Sequence, residues 1–194
     1  MPRTNQQNLA LREESRAKIM AAALQLFGAY GYERTSVRMI AEAAGVAQGL
    51  MYSHFQGKDD LLRAIFSRSI ADVRESFARA AAGDPSVSAV ERLIRAAFAI
   101  VRERLDFWRL SYGARMQQAV LAALGPDLST WTAEIRGALE QLLRESGVAD
   151  AATEAELLFA AIDGIAQHYS LEPDRYPLDA VTEALIARFT RSNP

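Results

Sequence analysis

Residues 35–58, TSVRMIAEAAGVAQGLMYSHFQGK, decide the fold of the N-terminal part of this chain. Ala41, Gly45 and Met51 have the spacing of a helix-turn-helix. They provide a small residue where two helices cross, a glycine free to take a positive φ in the turn, and an apolar anchor on the second helix. The segment therefore predicts a helix over about 37–43, a tight turn at 44–46 and a short helix over about 47–54.

The outer face of this hairpin is left with polar, aromatic and glycine residues. They are Arg38, Gln48, Gly49, Tyr52, Ser53 and His54. Such a face suits a helix that lies in the major groove of DNA, where amides and guanidinium groups read base edges. The same spacing also occurs in helical hairpins that only pack against their neighbours, so spacing by itself leaves both readings open.

The sequence from Ile19 to Leu62 resembles the DNA-binding segment of TetR/AcrR-family transcriptional regulators. In that family the first helix ends at Gly-Tyr or Gly-Phe, a T-[ST]-V-R-x-I-A-x-x-A-G-V run follows, and G-x-x-Y-x-[HY]-F-x-x-K-x-x-L closes the motif. This chain has GYERTSVRMIAEAAGVAQGLMYSHFQGKDDLL. The resemblance implies a homodimeric, ligand-responsive repressor that binds a palindromic operator in double-stranded DNA. The alternative is a helical protein-interaction module without DNA function.

The resemblance also assigns roles to the residues that match the family motif. Gln48 and Gly49 occupy base-reading positions, and Arg38 matches a base or phosphate contact. Tyr52 and His54 match positions that touch the phosphate backbone or a thymine methyl group.

The rest of the motif contains further phosphate contacts and two departures from the family pattern. Lys58 matches a phosphate contact at the start of the fourth helix, and Ser36 can donate to phosphate as well as cap its helix. Leu50 replaces the Thr or Ser that usually contacts phosphate, which puts that hydrogen bond in doubt. Met51 replaces the more usual Leu and is an acceptable core substitute.

Composition and charge exclude several classes of protein and indicate which end of the chain suits an anionic partner. Half of the residues are apolar and none is cysteine, which excludes disulfides and thiolate chemistry. The polar N-terminus and the lack of a long uncharged apolar run predict a cytoplasmic protein that is neither exported nor membrane-bound. Residues 1–58 carry seven Lys or Arg and four Asp or Glu, a net charge of +3. Since the whole chain has a net charge of −2, residues 59–194 carry a net charge of −5. The N-terminal end is thus the one suited to an anionic partner.

Helical periodicity extends along almost the whole chain and predicts an all-α fold of about nine helices without a sheet. We place them near residues 12–30, 37–43, 47–54, 58–82, 86–104, 106–124, 127–146, 151–170 and 178–192. Gly125-Pro126 is taken as the break between the sixth and seventh helices. We assign residues 1–57 to a DNA-binding helix-turn-helix domain and residues 58–194 to a helical ligand-binding and dimerisation domain.

For the C-terminal part, the resemblance implies a ligand cavity within the helical bundle and a dimer interface formed by the last two helices. The effector is an unidentified small molecule. Polar residues among aromatics on apolar helices are the candidates for its contacts, and each of them can instead be a satisfied core residue or part of a solvated face. These candidates are Phe107, Trp108, Ser111, Tyr112, Arg115, Gln118, Trp131, Asp163, Gln167 and His168.

The interface candidates are apolar residues and one glycine of the last two helices, and they can equally face the core of their own subunit. They are Leu157, Leu158, Ala161, Ile162, Gly164, Ile165, Val181, Leu185, Ile186 and Phe189. Enzymatic motifs are absent from the sequence, and its two histidines, His54 and His168, lie far apart. We therefore expect no catalytic residues, no metal site and no cofactor.

Overall fold

The computed structural model of the chain describes residues 5–114 and 117–190. Within these ranges it contains nine α-helices and no β-strand. They are α1 (Asn5–Tyr30), α2 (Val37–Ala43), α3 (Gln48–His54), α4 (Lys58–Ala81), α5 (Ala89–Glu103), α6 (Leu105–Ala114), α7 (Gln118–Glu145), α8 (Ala151–Leu171) and α9 (Leu178–Thr190). The predicted fold class is confirmed.

The chain divides into two compact units. The first unit comprises Met1–Ser69 and Leu110–Leu124, and the second comprises Ile70–Arg109 and Gly125–Pro194. The division into domains at residues 57 and 58 stays a prediction. Among the described residues, none of the helices is both long and apolar enough to cross a membrane.

Helix α1 begins earlier than its apolar pattern predicts. The pattern predicts a start near Arg12, but the helix begins at Asn5. Residues 9–14 are exposed, so the first turns carry no apolar stripe for periodicity to detect. The sequence NQQNLAL contains neither Gly nor Pro, and Gln, Leu and Ala are good helix formers, so the helix continues past its buried part.

The boundary between α6 and α7 was predicted in the wrong place. Helix α6 ends at Ala114 and α7 begins at Gln118, and Pro126 lies inside α7. A proline removes one backbone donor from a helix but does not always end it. Buried Leu124 and Trp131 are seven residues apart, so the apolar stripe continues at helical spacing across the proline. The hydroxyls of Ser129 and Thr130 each donate to the Pro126 carbonyl at 2.9 Å.

The core of the first unit joins the first four helices. Its buried residues come from α1, from α2, from α3 with the residue after it, and from the start of α4. They are Ile19, Ala23, Phe27, Ile40, Ala41, Met51, Phe55, Leu61 and Leu62. Each short helix of the hairpin therefore packs its apolar side against this core, and its opposite side lies at the surface.

The core of the second unit joins α5, α7, α8 and α9, and α5 packs chiefly against α9 and α8. Leu158, Leu185, Ile186 and Phe189 are buried in this core. These four interface candidates therefore face their own subunit. Leu157 is different, because 48% of its surface is exposed.

Candidate nucleic-acid interface

Helix α2 and the turn after it are fixed by local hydrogen bonds. Ser36 has an extended backbone, and its hydroxyl accepts a hydrogen bond from the Met39 amide at 3.2 Å, which makes it the N-cap of α2. Gly45 has φ of 65°, a conformation that costs other residues a steric clash. The Val46 amide donates to the Ala41 carbonyl at 3.0 Å, closing the turn that directs the chain into α3.

Helix α3 is anchored on one side and open on the other. Met51 is fully buried and Phe55, just after the helix, is almost so. Gln48, Gly49 and Ser53 are exposed, and Tyr52 keeps 54% of its surface exposed. The face of α3 that is predicted to contact DNA bases is thus accessible. The opposite face of the helix is buried and holds the helix in place.

Two further exposed residues border this face. The Arg38 side chain on α2 is 77% exposed and lies 3.8 Å from the carboxylate of Glu42. An exposed ion pair of this kind contributes little stability, so it does not prevent the guanidinium from contacting a phosphate. Leu50, 41% exposed, places an apolar side chain where the family pattern has a hydroxyl.

Lys58, predicted to bind phosphate, makes internal contacts in this structure. Its Nζ donates to the Tyr32 carbonyl at 2.8 Å and lies 4.3 Å from the centroid of the Tyr32 ring. The Tyr32 hydroxyl donates to the carboxylate of Asp59. Burial, followed by this hydrogen bond to Asp59, raises the pKa of Tyr32. The lysine therefore ties the start of α4 to the loop after α1.

Tyr32 is a residue for which no role was predicted. Its position after Gly31 is part of the family motif, but its contacts with Lys58 and Asp59 join residues 26 and 27 positions apart. Helical periodicity carries no information about such pairs. The one available signal was an aromatic residue directly after a helix-ending glycine, where it can pack back on the helix. Its ring centroid is indeed 5.2 Å from that of Phe27.

His54, at the end of α3, is half-buried against α1 rather than fully outward. Its Nε2 lies 3.0 Å from the hydroxyl oxygen of Ser15. Burial, and then the positive charges of Arg12 and Arg16, lower the pKa of His54. The neutral imidazole is therefore favoured at this junction between α1 and α3, which the sequence did not reveal.

Three of the predicted ligand contacts come together in the second unit. Phe107, Trp108 and Trp131 are buried. The rings of Phe107 and Trp108 meet edge to face with centroids 5.3 Å apart, and the two indoles are 6.2 Å apart. Among the described residues, none accepts a hydrogen bond from the buried Nε1 of Trp131.

The other predicted ligand contacts differ in their exposure. Ser111 is buried, and Tyr112 and Asp163 are half-buried. Gln118, Gln167 and His168 are exposed, and the imidazole of His168 stacks on Tyr176 with centroids 6.2 Å apart. Arg115 lies outside the described residues.

Comparison with known proteins gives two family matches that together cover most of the chain. The model described as "Bacterial regulatory proteins, tetR family" matches residues 19–65, and the model "Tetracyclin repressor-like, C-terminal domain" matches residues 90–192. The HTH-type transcriptional regulator TtgR of Pseudomonas putida is 30% identical over 185 residues, covering 86% of this chain and 85% of the relative.

Solved structures show the same fold. A TetR-like transcriptional regulator from Rhodococcus sp. RHA1 superposes with a TM-score of 0.76 at 24% identity, covering 98% of this chain and 97% of that one. The protein in a SmeT–triclosan complex superposes with a TM-score of 0.72 at 22% identity, covering 90% of each chain.

Proposed function

The chain belongs to the TetR family of bacterial regulatory proteins and is a DNA-binding transcriptional regulator rather than an enzyme; on this premise we propose that it is a ligand-responsive repressor. In this proposal a homodimer binds a palindromic operator, and a small molecule bound in the C-terminal region releases it. A repressor of this kind acts where the chromosome is, so we place it in the cytoplasm.

One observation carries the DNA-binding half of the proposal. Helix α3 buries Met51 and exposes Gln48, Gly49, Tyr52 and Ser53 on its other side. An amide can bond an adenine edge bidentately, a glycine allows close approach, and an aromatic side chain can contact a thymine methyl group or the backbone. We therefore assign base reading to Gln48 and Gly49.

Around that face we assign phosphate or backbone contacts to residues at its edge: Ser36, Arg38, Tyr52, Ser53, His54 and Lys58. Lys58 and His54 have partners within the protein, so each has to exchange or share those contacts with phosphate. Arg38 and Tyr52 need no such exchange, because their side chains are largely exposed.

A selection experiment tests this assignment. Purified protein is used to retrieve genomic fragments, and affinity is then measured by fluorescence anisotropy on a 30-base-pair duplex carrying the retrieved site. Tyr52→Ala is expected to weaken binding by about tenfold or more, since removing one good contact costs about 1–3 kcal/mol. Thermal unfolding should be unchanged, because the side chain is exposed.

The matched control is Tyr30→Ala, which removes another tyrosine, 51% exposed, from the end of α1. It is expected to bind as the wild type does. Retrieval of no site, together with wild-type affinity of Tyr52→Ala for a random duplex, would contradict the proposal and favour a helical interaction module.

The dimeric half of the proposal rests on the outer face of α8. Leu157 and Leu171 are exposed there, 48% and 70% respectively, and Gly164 lies between them at helical spacing. A small residue flanked by exposed leucines suits close packing against the same helix of a second copy. We propose that α8 and α9 form this interface.

The ligand-responsive half is supported by the aromatic cluster of Phe107, Trp108 and Trp131. Binding sites for small molecules are mostly apolar with a few convergent polar groups, and the Trp131 indole offers a buried donor. SmeT, which is similar in fold, was solved as a complex with triclosan. We propose that the effector contacts this cluster. The other contacts predicted from the sequence stay predictions: Ser111, Tyr112, Arg115, Gln118, Asp163, Gln167 and His168.

A further inference from the structure

Among the described residues, the two arginines of α1 differ from most other cationic residues in that neither a carboxylate nor a backbone carbonyl pairs with them. In the second unit, carboxylates pair with most of the arginines, for example Arg102 with Asp179 at 2.5 Å and Arg104 with Asp72 at 2.7 Å. Among the described residues, no carboxylate pairs with Arg12 or Arg16. Their charges are therefore not neutralised by an ion pair.

Three other cations of the first unit donate to backbone carbonyls. Arg34 donates to the carbonyl of Tyr30 at 2.9 Å, Lys58 to that of Tyr32, and Arg63 to that of Ala123 at 3.4 Å. Lys18 forms an ion pair with Glu14 at 2.6 Å. Arg12 has no such partner among the described residues, and Arg16 has only the ring of Phe55, 4.6 Å from its guanidinium carbon.

The position of the two arginines beside the recognition helix is fixed by contacts. Ser15 and Arg16 lie three and four residues after Arg12, so each side chain is a neighbour of the Arg12 side chain on the surface of α1. The Ser15 hydroxyl is 3.0 Å from the imidazole of His54, the last residue of α3. The charges of both arginines reach that imidazole, since they lower the pKa of His54.

The nearby acidic charge does not cancel this patch. Glu13 is the carboxylate whose charge also reaches His54, and it raises the pKa of that histidine less than the arginines lower it. Glu14 is held by Lys18 on the same helix. Two guanidinium groups against one free carboxylate leave a local positive surplus beside the proposed DNA-reading face.

We propose that Arg12 and Arg16 of α1 form a phosphate-binding site for duplex DNA next to the end of α3. The inference rests on the proposed binding of DNA by the outer face of α3 and adds a second element to that contact. Guanidinium groups suit this role because they present several donors to phosphate oxygens. The link from Ser15 to His54 positions the site, and the contact of Arg16 with Phe55 orders one of the two side chains.

The test compares charge-neutral variants on DNA at several salt concentrations. Arg12→Gln, Arg16→Gln and the control Arg175→Gln each remove one positive charge, and Arg175 is an exposed arginine of the second unit. Affinity is measured by fluorescence anisotropy on a 30-base-pair duplex carrying a site retrieved by the wild type, from 50 to 300 mM KCl. Each phosphate contact contributes about 0.9 to the slope of log affinity against log salt.

Arg12→Gln and Arg16→Gln are each expected to make that slope shallower by about one per protomer and to weaken binding at about 0.1 M salt by roughly fivefold to tenfold. Arg175→Gln should behave as the wild type. Thermal unfolding monitors the fold. If Arg16→Gln unfolds, Arg12→Gln is the deciding variant, because Arg12 is exposed.

Wild-type slope and affinity in both α1 variants would overturn the inference. The proposed function would survive that result as long as Tyr52→Ala still weakens binding to the same duplex. If the wild type shows no salt-dependent affinity for the retrieved duplex or for a random one, the proposed function itself fails and the inference fails with it.

Discussion

His54 lies between α1 and α3, so its protonation affects the stability of the first unit. The pKa of His54 in the folded protein is below its usual value of 6.5, first because of burial and then because of Arg12 and Arg16. Well above pH 6.5 the imidazole is neutral in both the folded and the unfolded state, so it does not make the stability depend on pH. As the pH falls through 6.5 towards the lower pKa of the folded state, the unfolded chain takes up the proton first, so the folded state loses stability.

We therefore expect the urea midpoint of the wild type to fall between pH 7.5 and 5.0, and to fall less in His54→Gln. Glutamine keeps an amide that can bond the Ser15 hydroxyl but does not titrate, so the difference between the two curves isolates the histidine. Equal losses in both proteins would show that the imidazole is not held in its neutral form by α1.

At the scale of single elements, replacing two glycines of the hairpin by alanine is expected to change the stability in opposite directions. Gly45 has φ of 65° in the turn, whereas Gly49 lies inside α3, and a Cβ on either would meet no atom within 4 Å. Gly45→Ala is expected to destabilise the protein by about 1 kcal/mol, because alanine is strained at positive φ.

Gly49→Ala is expected to raise stability by up to about 1 kcal/mol, since alanine favours a helix. Its methyl group would also stand on the face proposed to approach the bases, so affinity for the operator duplex should fall. Urea unfolding and anisotropy on the same samples check both changes. A Gly49→Ala variant that binds normally would show that the backbone of α3 does not approach DNA closely.

The hairpin itself was predictable from the sequence because its signals are local. Ser36 as a cap, Gly45 in the turn and the apolar Met51 fix α2 and α3, and the predicted ends of α2 at 37 and 43 are confirmed. The exposed side of α3 then follows from helical geometry.

Two kinds of feature could not be predicted in this way. The Gly125-Pro126 pair has the composition of a break, yet the stripe of buried residues continues through it and α7 does too. The contacts of Ser15 with His54 and of Lys58 with Tyr32 join residues 39 and 26 positions apart. Such pairs depend on how whole helices pack, which local spacing does not encode.

At the scale of the whole molecule, the proposed reading of a palindrome requires two copies of α3, and hence a dimer. Two half-sites about one helical turn apart are bound together only when one protein carries both recognition helices. In the proposed interface, the exposed Leu157 of α8 meets the other subunit, whereas its neighbour Leu158 is buried in its own core.

Leu157→Glu is therefore expected to yield a folded monomer, because the new carboxylate would be buried against the partner without a counter-charge, while the isolated subunit leaves it in water. Size-exclusion chromatography with light scattering gives the mass, and anisotropy on a palindromic duplex should show affinity lower by at least tenfold. Leu121→Glu changes another leucine, 42% exposed, in the first unit and serves as the control that stays dimeric. A Leu157→Glu protein that remains a dimer and binds the palindrome normally would move the interface away from this face of α8.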